Sequence, residues 1–246
     1  MRLLLTRPLA QSVGMARELR ASGFRVWIAP MLRIRPLQFD PHLFVRPRSI
    51  IVTSANAVPA LGAIVPASRQ MFTVGPDTGL ALRRAGFDNV VSASGTAAEL
   101  LDLVKENWRP SDGPIVYASG QDVSLDISQA LGRAGYDCSR VAVYEARRSQ
   151  RLNAPTAALL ADGRIDAVLF MSMRTAETFV KLARMSEVAD ACRSVVSVSL
   201  SNKIAAALGA LSWKSSFVAS SPTREGMLAE VRMLAGRSAA TERRST

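Results

Sequence analysis

The residue types that usually carry enzyme chemistry are scarce in this chain, and the scarcity narrows what it can do. His42 is the only histidine, which excludes a histidine-dependent triad or a histidine-rich metal site. Cys138 and Cys192 have no metal-type spacing and no histidine partner. Both read as buried thiols of a reducing compartment, so the cytoplasm is expected. No GxGxxG opens a helix after a strand and no Walker-type phosphate loop occurs, so no nucleotide cofactor is predicted. Neither a metal nor any other cofactor is expected. What remains is a set of small hydroxyl residues: Thr53-Ser54, Thr78 within Gly75-Pro76-Asp77-Thr78, Thr96, Ser119-Gly120, Ser172 and Pro222-Thr223. Each stands where an apolar run gives way to a helical pattern. There the first backbone N–H groups of a helix are unpaired and its dipole is positive, a setting that holds carboxylate or phosphate. The same residues are also good N-caps, so any one of them has an ordinary structural use. The whole set, repeated along the chain, points to a multiply anionic ligand. Tyr144 is the hydroxyl acid at a domain crossing. In its neutral form it could donate a proton, or it could simply close a strand.

The elements that must position these residues come in two copies. Phe72 to Val104 reads as strand, turn, Ala/Leu-rich helix, strand and Thr-led helix start, and Val198 to Val231 reads the same way. Gly75 falls on Ser201, Leu82 on Leu208, Phe87 on Trp213 and Thr96 on Thr223. The stretch Ile50 to Ala57 pairs with Val168 to Thr175. Leu3 to Leu32 lies ungapped on Ile115 to Tyr144, with Gly23 on Gly135. In the middle copy this last unit comes at the end, whereas its counterpart is the N-terminus. Three segments in one cyclic order imply two similar α/β domains, one of them split by insertion of the other.

Strands are predicted near 2–6, 24–30, 50–53, 71–74, 89–92, 114–118, 138–143, 167–171, 195–199 and 216–219. Helices are predicted near 9–21, 55–62, 77–85, 96–107, 122–134, 174–185, 202–210 and 223–235. The alternation argues for parallel sheets covered by helices on both faces. Residues 1–35 with 150–236 form the discontinuous first domain and 49–143 the second. Residues 36–48 and 144–149 are the linker crossings, and 237–246 is expected to be a disordered tail. Ligands of such sheets sit beyond the carboxyl ends of the strands, which in a two-domain chain are expected to face a cleft. The formal charge of +11 comes from scattered bases, mostly Arg. Nucleic acid, a polyanionic small molecule and a plain solvated surface all suit such a charge. No helix-turn-helix is recognisable and the bases are not striped along one helix, so no nucleic-acid partner is expected. No window approaches about 18 uninterrupted apolar residues, so no membrane span is expected.

The order of these features resembles the uroporphyrinogen-III synthase family over nearly the full length. The resemblance rests on Leu5-Thr6-Arg7-Pro8 with Gly23 and Pro30, on Val52 to Val58, and on Val74-Gly75-Pro76-Asp77-Thr78. It continues through Val143-Tyr144-Glu145 and Leu169-Phe170-Met171-Ser172 to Ser221-Pro222-Thr223. It implies two flavodoxin-like α/β domains joined by a two-stranded linker, with a cleft between them. It also implies a reaction: hydroxymethylbilane, a linear tetrapyrrole with eight carboxylates, loses water and closes into uroporphyrinogen III with its last ring inverted. No cofactor is implied, and the protein is expected to be a monomer with at most transient contact to the enzyme that supplies its substrate. Tyr144 matches the family tyrosine proposed to assist hydroxyl departure. Thr53, Ser54, Thr78, Ser172, Pro222 and Thr223 match positions on the substrate side. The 119–122 turn lacks the Arg-Gly of many relatives, and Ser199 to Asn202 replaces a Gly-Pro-type turn. A non-enzymatic two-domain binder of a polyanionic small molecule is the alternative reading; it would need no acid at Tyr144.

Overall fold

A computed structural model describes residues 1–62 and 64–244, with only the backbone of 238–244. In chain order the strands are β1 (Arg2–Leu5), β2 (Arg25–Ile28), β3 (Leu32–Pro36), β4 (Ser49–Val52), β5 (Gln70–Thr73), β6 (Val90–Ser92), β7 (Ile115–Gly120), β8 (Cys138–Arg148), β9 (Ala167–Phe170), β10 (Val196–Ser199) and β11 (Ser215–Val218). The helices are α1 (Leu9–Ala21), α2 (Val58–Leu61), α3 (Pro76–Arg84), α4 (Ala97–Asn107), α5 (Ile127–Arg133), α6 (Ala154–Ala161), α7 (Met173–Met185), α8 (Asn202–Leu208) and α9 (Arg224–Arg244). The chain divides into unit one, Met1–Arg33 with Arg147 onward, and unit two, Ile34–Ala146.

Unit one carries a sheet in the order β11-β10-β9-β1-β2. Its pairings are parallel, with Leu4 set between Trp27 and Val168. Numbered within the unit, this is the 2-1-3-4-5 order of a flavodoxin-like doubly wound sheet. Unit two carries the order β3-β8-β7-β4-β5-β6, with β4 to β8 paired in parallel. The sequence repeat matches β4 with β9, β5 with β10, β7 with β1 and β8 with β2. Matched strands occupy the same places in the two sheets, although the chain visits them in a different order. The runs Leu-Leu-Leu, Ile-Ile-Val and Val-Leu-Phe are continuous rather than alternating because both faces of a parallel sheet are buried. In unit one, Leu4, Val168 and Phe170 pack with Phe179 and Leu182 of α7. On the other face Leu3, Leu5 and Leu169 pack with Leu19 of α1 and Leu228 of α9. In unit two, Ile50, Val52, Val141 and Val143 line one face and Ile51, Phe72 and Tyr117 the other.

Several expectations are corrected. A helix, α6, follows the return crossing where none was predicted; Asn153 caps it and Pro155 stands in its first turn, the one helical place where a missing N–H costs nothing. Residues 36–48, expected as a crossing, group with unit two. Phe44 there is buried and meets Phe39 edge to face at 5.5 Å, because a large aromatic gains more from the core than from an exposed connector. The expected tail is helical as far as Arg244: its Ala, Arg and Glu are good helix formers with no proline among them. Residues 245 and 246 of that expectation lie outside the described residues.

The N-terminal strand is tied to the C-terminal half of unit one by Arg2 and Asp166. The Arg2 backbone N–H donates to Asp166 at 2.6 Å, and the guanidinium donates from Nε at 3.1 Å and Nη2 at 2.6 Å. Burial would raise the Asp166 carboxyl, but these bonds outweigh it and hold it below the usual range. Both side chains are about a third exposed. A depressed carboxylate stabilises the fold above its unfolded pKa of about 3.9 and loses that contribution as pH falls through its folded value. Asp166→Asn is therefore expected to cost about 1 kcal/mol at pH 7, after allowance for solvent screening. The deficit should shrink as pH falls below about 4. Thermal unfolding of both proteins across that range checks this; a deficit independent of pH would contradict it.

Candidate functional site

The carboxyl edge of unit two gathers the hydroxyl groups. Thr53 follows β4, and its Oγ1 lies 2.9 Å from the hydroxyl of Tyr117 on the neighbouring β7. Ser54 caps a short 3-10 turn at Ala55–Ala57, accepting from the Asn56 N–H at 3.3 Å. After β5 comes Gly75, which begins α3 without a side-chain cap. Pro76 and Asp77 fill the first turn and Thr78 is buried behind them. The first N–H groups of α3 thus have no side-chain oxygen from their own cap. Thr96 differs: it makes a reciprocal capping box with Glu99, and its hydroxyl is 2.9 Å from that carboxylate.

Ser119-Gly120 is not a turn. It is the buried end of β7, and this corrects the helix start expected at 122, since α5 begins only at Ile127 behind the cap Asp126. Unbroken pairing would set Gly120 beside Val143. A register irregularity between Ser119 and Gly120 sets it beside Tyr144 instead, and the Gln121 N–H then donates to the Tyr144 carbonyl at 2.8 Å. The Tyr144 ring lies on Gly120: a Cβ there would meet the ring Cζ at 2.8 Å and the hydroxyl at 3.0 Å. The ring is half-buried and packs against the core cluster that contains Phe44, Val52 and Val143. Among the described residues none hydrogen-bonds with its hydroxyl.

Arg140, also on β8, closes the same edge. Its Nε donates to Ser119 Oγ at 2.8 Å, and its Nη2 donates to the carbonyls of Gly120 at 2.9 Å and Gln121 at 2.6 Å. Its Nη1 stands 3.5 Å from Asp126. Burial acts to raise the Asp126 carboxyl, but bonds from Ser128 and Gln129, with Arg140 nearby, hold it below the usual range. Tyr117 is shifted the other way. Burial pushes its hydroxyl up and the neighbouring Tyr144 and Asp126 add to this, against the Thr53 bond and Arg140. Sequence reasoning placed Tyr117 in an apolar strand and overlooked its hydroxyl. A buried phenol that needs a partner was the available signal, but the partner is distant in the chain.

In unit one, the Thr6 hydroxyl donates to the Leu169 carbonyl at 2.7 Å and pins β1 to β9. Ser172 caps α7, accepting from the Thr175 N–H at 3.3 Å and donating to Thr175 Oγ1 at 3.1 Å. Ser201 caps α8. Thr223 accepts from the Gly226 N–H at 3.1 Å at the start of α9, 3.0 Å from Ser221 Oγ, with Pro222 exposed between them. A capping hydroxyl uses its oxygen as acceptor and retains one proton to donate. Elsewhere the chemistry is quiet. Burial, with Asp126 and Asp137 nearby, pushes the Cys138 thiol up to about 12, and burial pushes Cys192 to about 11; both remain poor nucleophiles. His42 is exposed. Among the described residues no group of three or more His, Cys, Asp or Glu could hold a metal ion, and no helix is long and apolar enough to cross a membrane.

A family model described as uroporphyrinogen-III synthase HemD matches residues 14–229. The crystal structure of uroporphyrinogen-III synthetase from Helicobacter pylori superposes with a TM-score of 0.57 at 18% identity, covering 95% of this chain and 100% of that one. A mutant uroporphyrinogen III synthase from the extremely thermophilic bacterium Thermus thermophilus superposes with a TM-score of 0.53 at 17% identity, covering 96% and 99%. At such identities the structural likeness is one of fold. No curated protein matches the chain.

Tyr117 gives a direct check on this edge. A hydroxyl raised by its surroundings contributes stability below its unfolded pKa of about 10 and loses it as pH rises through the folded value. The three tyrosines can be followed by phenolate absorbance. Wild-type protein should show a late step, above the ordinary range, that Tyr117→Phe lacks. Persistence of that step in the variant would contradict the assignment.

Proposed function

This chain belongs to the uroporphyrinogen-III synthase family, and we propose that the carboxyl edge of unit two, with Tyr144 as proton donor, is where it performs the family's reaction. That reaction is a hydro-lyase step of tetrapyrrole biosynthesis. The terminal hydroxyl of hydroxymethylbilane takes a proton and leaves as water, and the chain closes into uroporphyrinogen III with its last ring inverted. The substrate carries its own reactive azafulvene once the hydroxyl has gone. The protein has to supply the proton and hold the bilane so that closure occurs at the correct carbon.

The observation that carries this reading is the setting of Tyr144. Its ring is held by the core cluster on one side and by the bare backbone of Gly120, while no described residue takes up its hydroxyl. A neutral phenol so placed donates to a departing oxygen without first breaking an internal bond. The substrate carboxylates are met by helix starts. The uncapped N-terminus of α3 at Thr78, with Thr53 and Ser54, serves in unit two; the helix starts at Ser172 and at Pro222-Thr223 serve in unit one. The net charge of +11 raises the encounter rate with such a polyanion. Two free cysteines suit a reducing cytoplasm. The protein acts as a monomer, and its contact with the enzyme that supplies hydroxymethylbilane is transient.

Tyr144→Phe is expected to lower turnover by about tenfold to a hundredfold, at or below the usual gain from general acid catalysis, with thermal stability preserved. Steady-state assay with fresh hydroxymethylbilane checks it. Wild-type turnover in the variant would mean that the proton comes from water or from the substrate itself.

A further inference from the structure

We propose that Arg140 is a positioning residue for Tyr144, fixing the end of β7 in the irregular register that lets the tyrosine ring rest on Gly120; this rests on the role of Tyr144 given above. A parallel ladder loses a paired step where one strand carries an extra residue, and the unpaired groups need other partners. Here Val143 is the extra residue. Its carbonyl accepts from the Leu37 N–H at 3.0 Å, so the β8 side is satisfied by the chain leaving β3. On the β7 side the Gly120 and Gln121 carbonyls would face away from any strand. Arg140 donates to both, and to the Ser119 hydroxyl, which itself donates to the Gly120 carbonyl at 2.9 Å.

The guanidinium is a planar fork, and Arg140 uses its three nitrogens on four separate groups. Asp126 balances its charge at 3.5 Å and is itself fixed as the cap of α5, with the Ser128 N–H at 3.0 Å. The start of α5, the end of β7 and the middle of β8 are thereby locked together. The lock meets the Tyr144 ring at Gly120 and the Tyr144 carbonyl through the Gln121 N–H. The ring occupies the space of the absent Gly120 Cβ, so a small shift of the Gly120 backbone moves Tyr144 by the same amount. A lysine could not reproduce the arrangement, because an ammonium is a single point on a flexible stem.

Fluorotyrosine labelling tests this without relying on activity. The chain has three tyrosines, so fluorine resonances are assigned by single Tyr→Phe changes. Arg140→Met and Ser119→Ala should both move or broaden the Tyr144 signal and leave that of Tyr136, which bonds the Trp108 carbonyl, in place. Ser119→Ala keeps the arginine charge and serves if Arg140→Met does not fold. Turnover supplies the second arm. Arg140→Met should lower kcat about tenfold with little change in KM, and its effect should fall to about twofold or less in the Y144F background, since residues acting as one unit are not additive. A Tyr144 signal identical to wild type in both variants overturns the proposal whatever the turnover. So does an equal loss of kcat in the two backgrounds. If the signal moves but Tyr144→Phe alone is fully active, Arg140 still positions the ring and it is the proton-donor reading that fails.

Discussion

A parallel strand buried on both faces offers chemistry nothing but its two ends. In both sheets of this protein the central strands are closed by core residues on each side. The hydroxyl residues therefore gather where strands stop and helices start. Each such start presents unpaired N–H groups and a positive dipole end. The same physics that caps helices also binds anions.

Capping and binding compete for the same atoms, and the structure separates the cases. Thr96 gives its hydroxyl to Glu99, so it is spent on the helix. Ser172 is largely spent as well, since Thr175 takes its proton. Thr223 accepts from the chain and shares its hydroxyl with Ser221. The start of α3 has no side-chain cap, which leaves backbone donors there without a side-chain partner from the cap. Tyr144 stands apart from all of these. It is a strand residue, placed by a break in pairing rather than by a helix start.

Much of this was legible in the sequence because it depends on local pattern. The doubly wound order follows from alternating strands and helices, and the cyclic repeat of Leu3–Leu32 on Ile115–Tyr144 corresponds to strands that take matching places in the two sheets. The helix starts at Ser172 and Thr223 were visible as hydroxyls before helical runs. What was hidden depends on long-range contact. Tyr117 meets Thr53 only because β4 and β7 are neighbours. Arg140 looked like one scattered base among many, since nothing in its local sequence shows that it bonds the end of β7. Phe44 looked like part of a connector because prolines surround it, and its burial is decided by the sheet it joins.

This chain belongs to a family that directs the closure of hydroxymethylbilane. The bilane closes unaided to the type I isomer, so the product itself reports on the protein. The decisive measurement is to supply fresh hydroxymethylbilane to the purified chain, oxidise the products and separate the type I and type III porphyrins. A dominant type III product is expected. Type I alone, formed at the uncatalysed rate by protein shown to be folded, would contradict it.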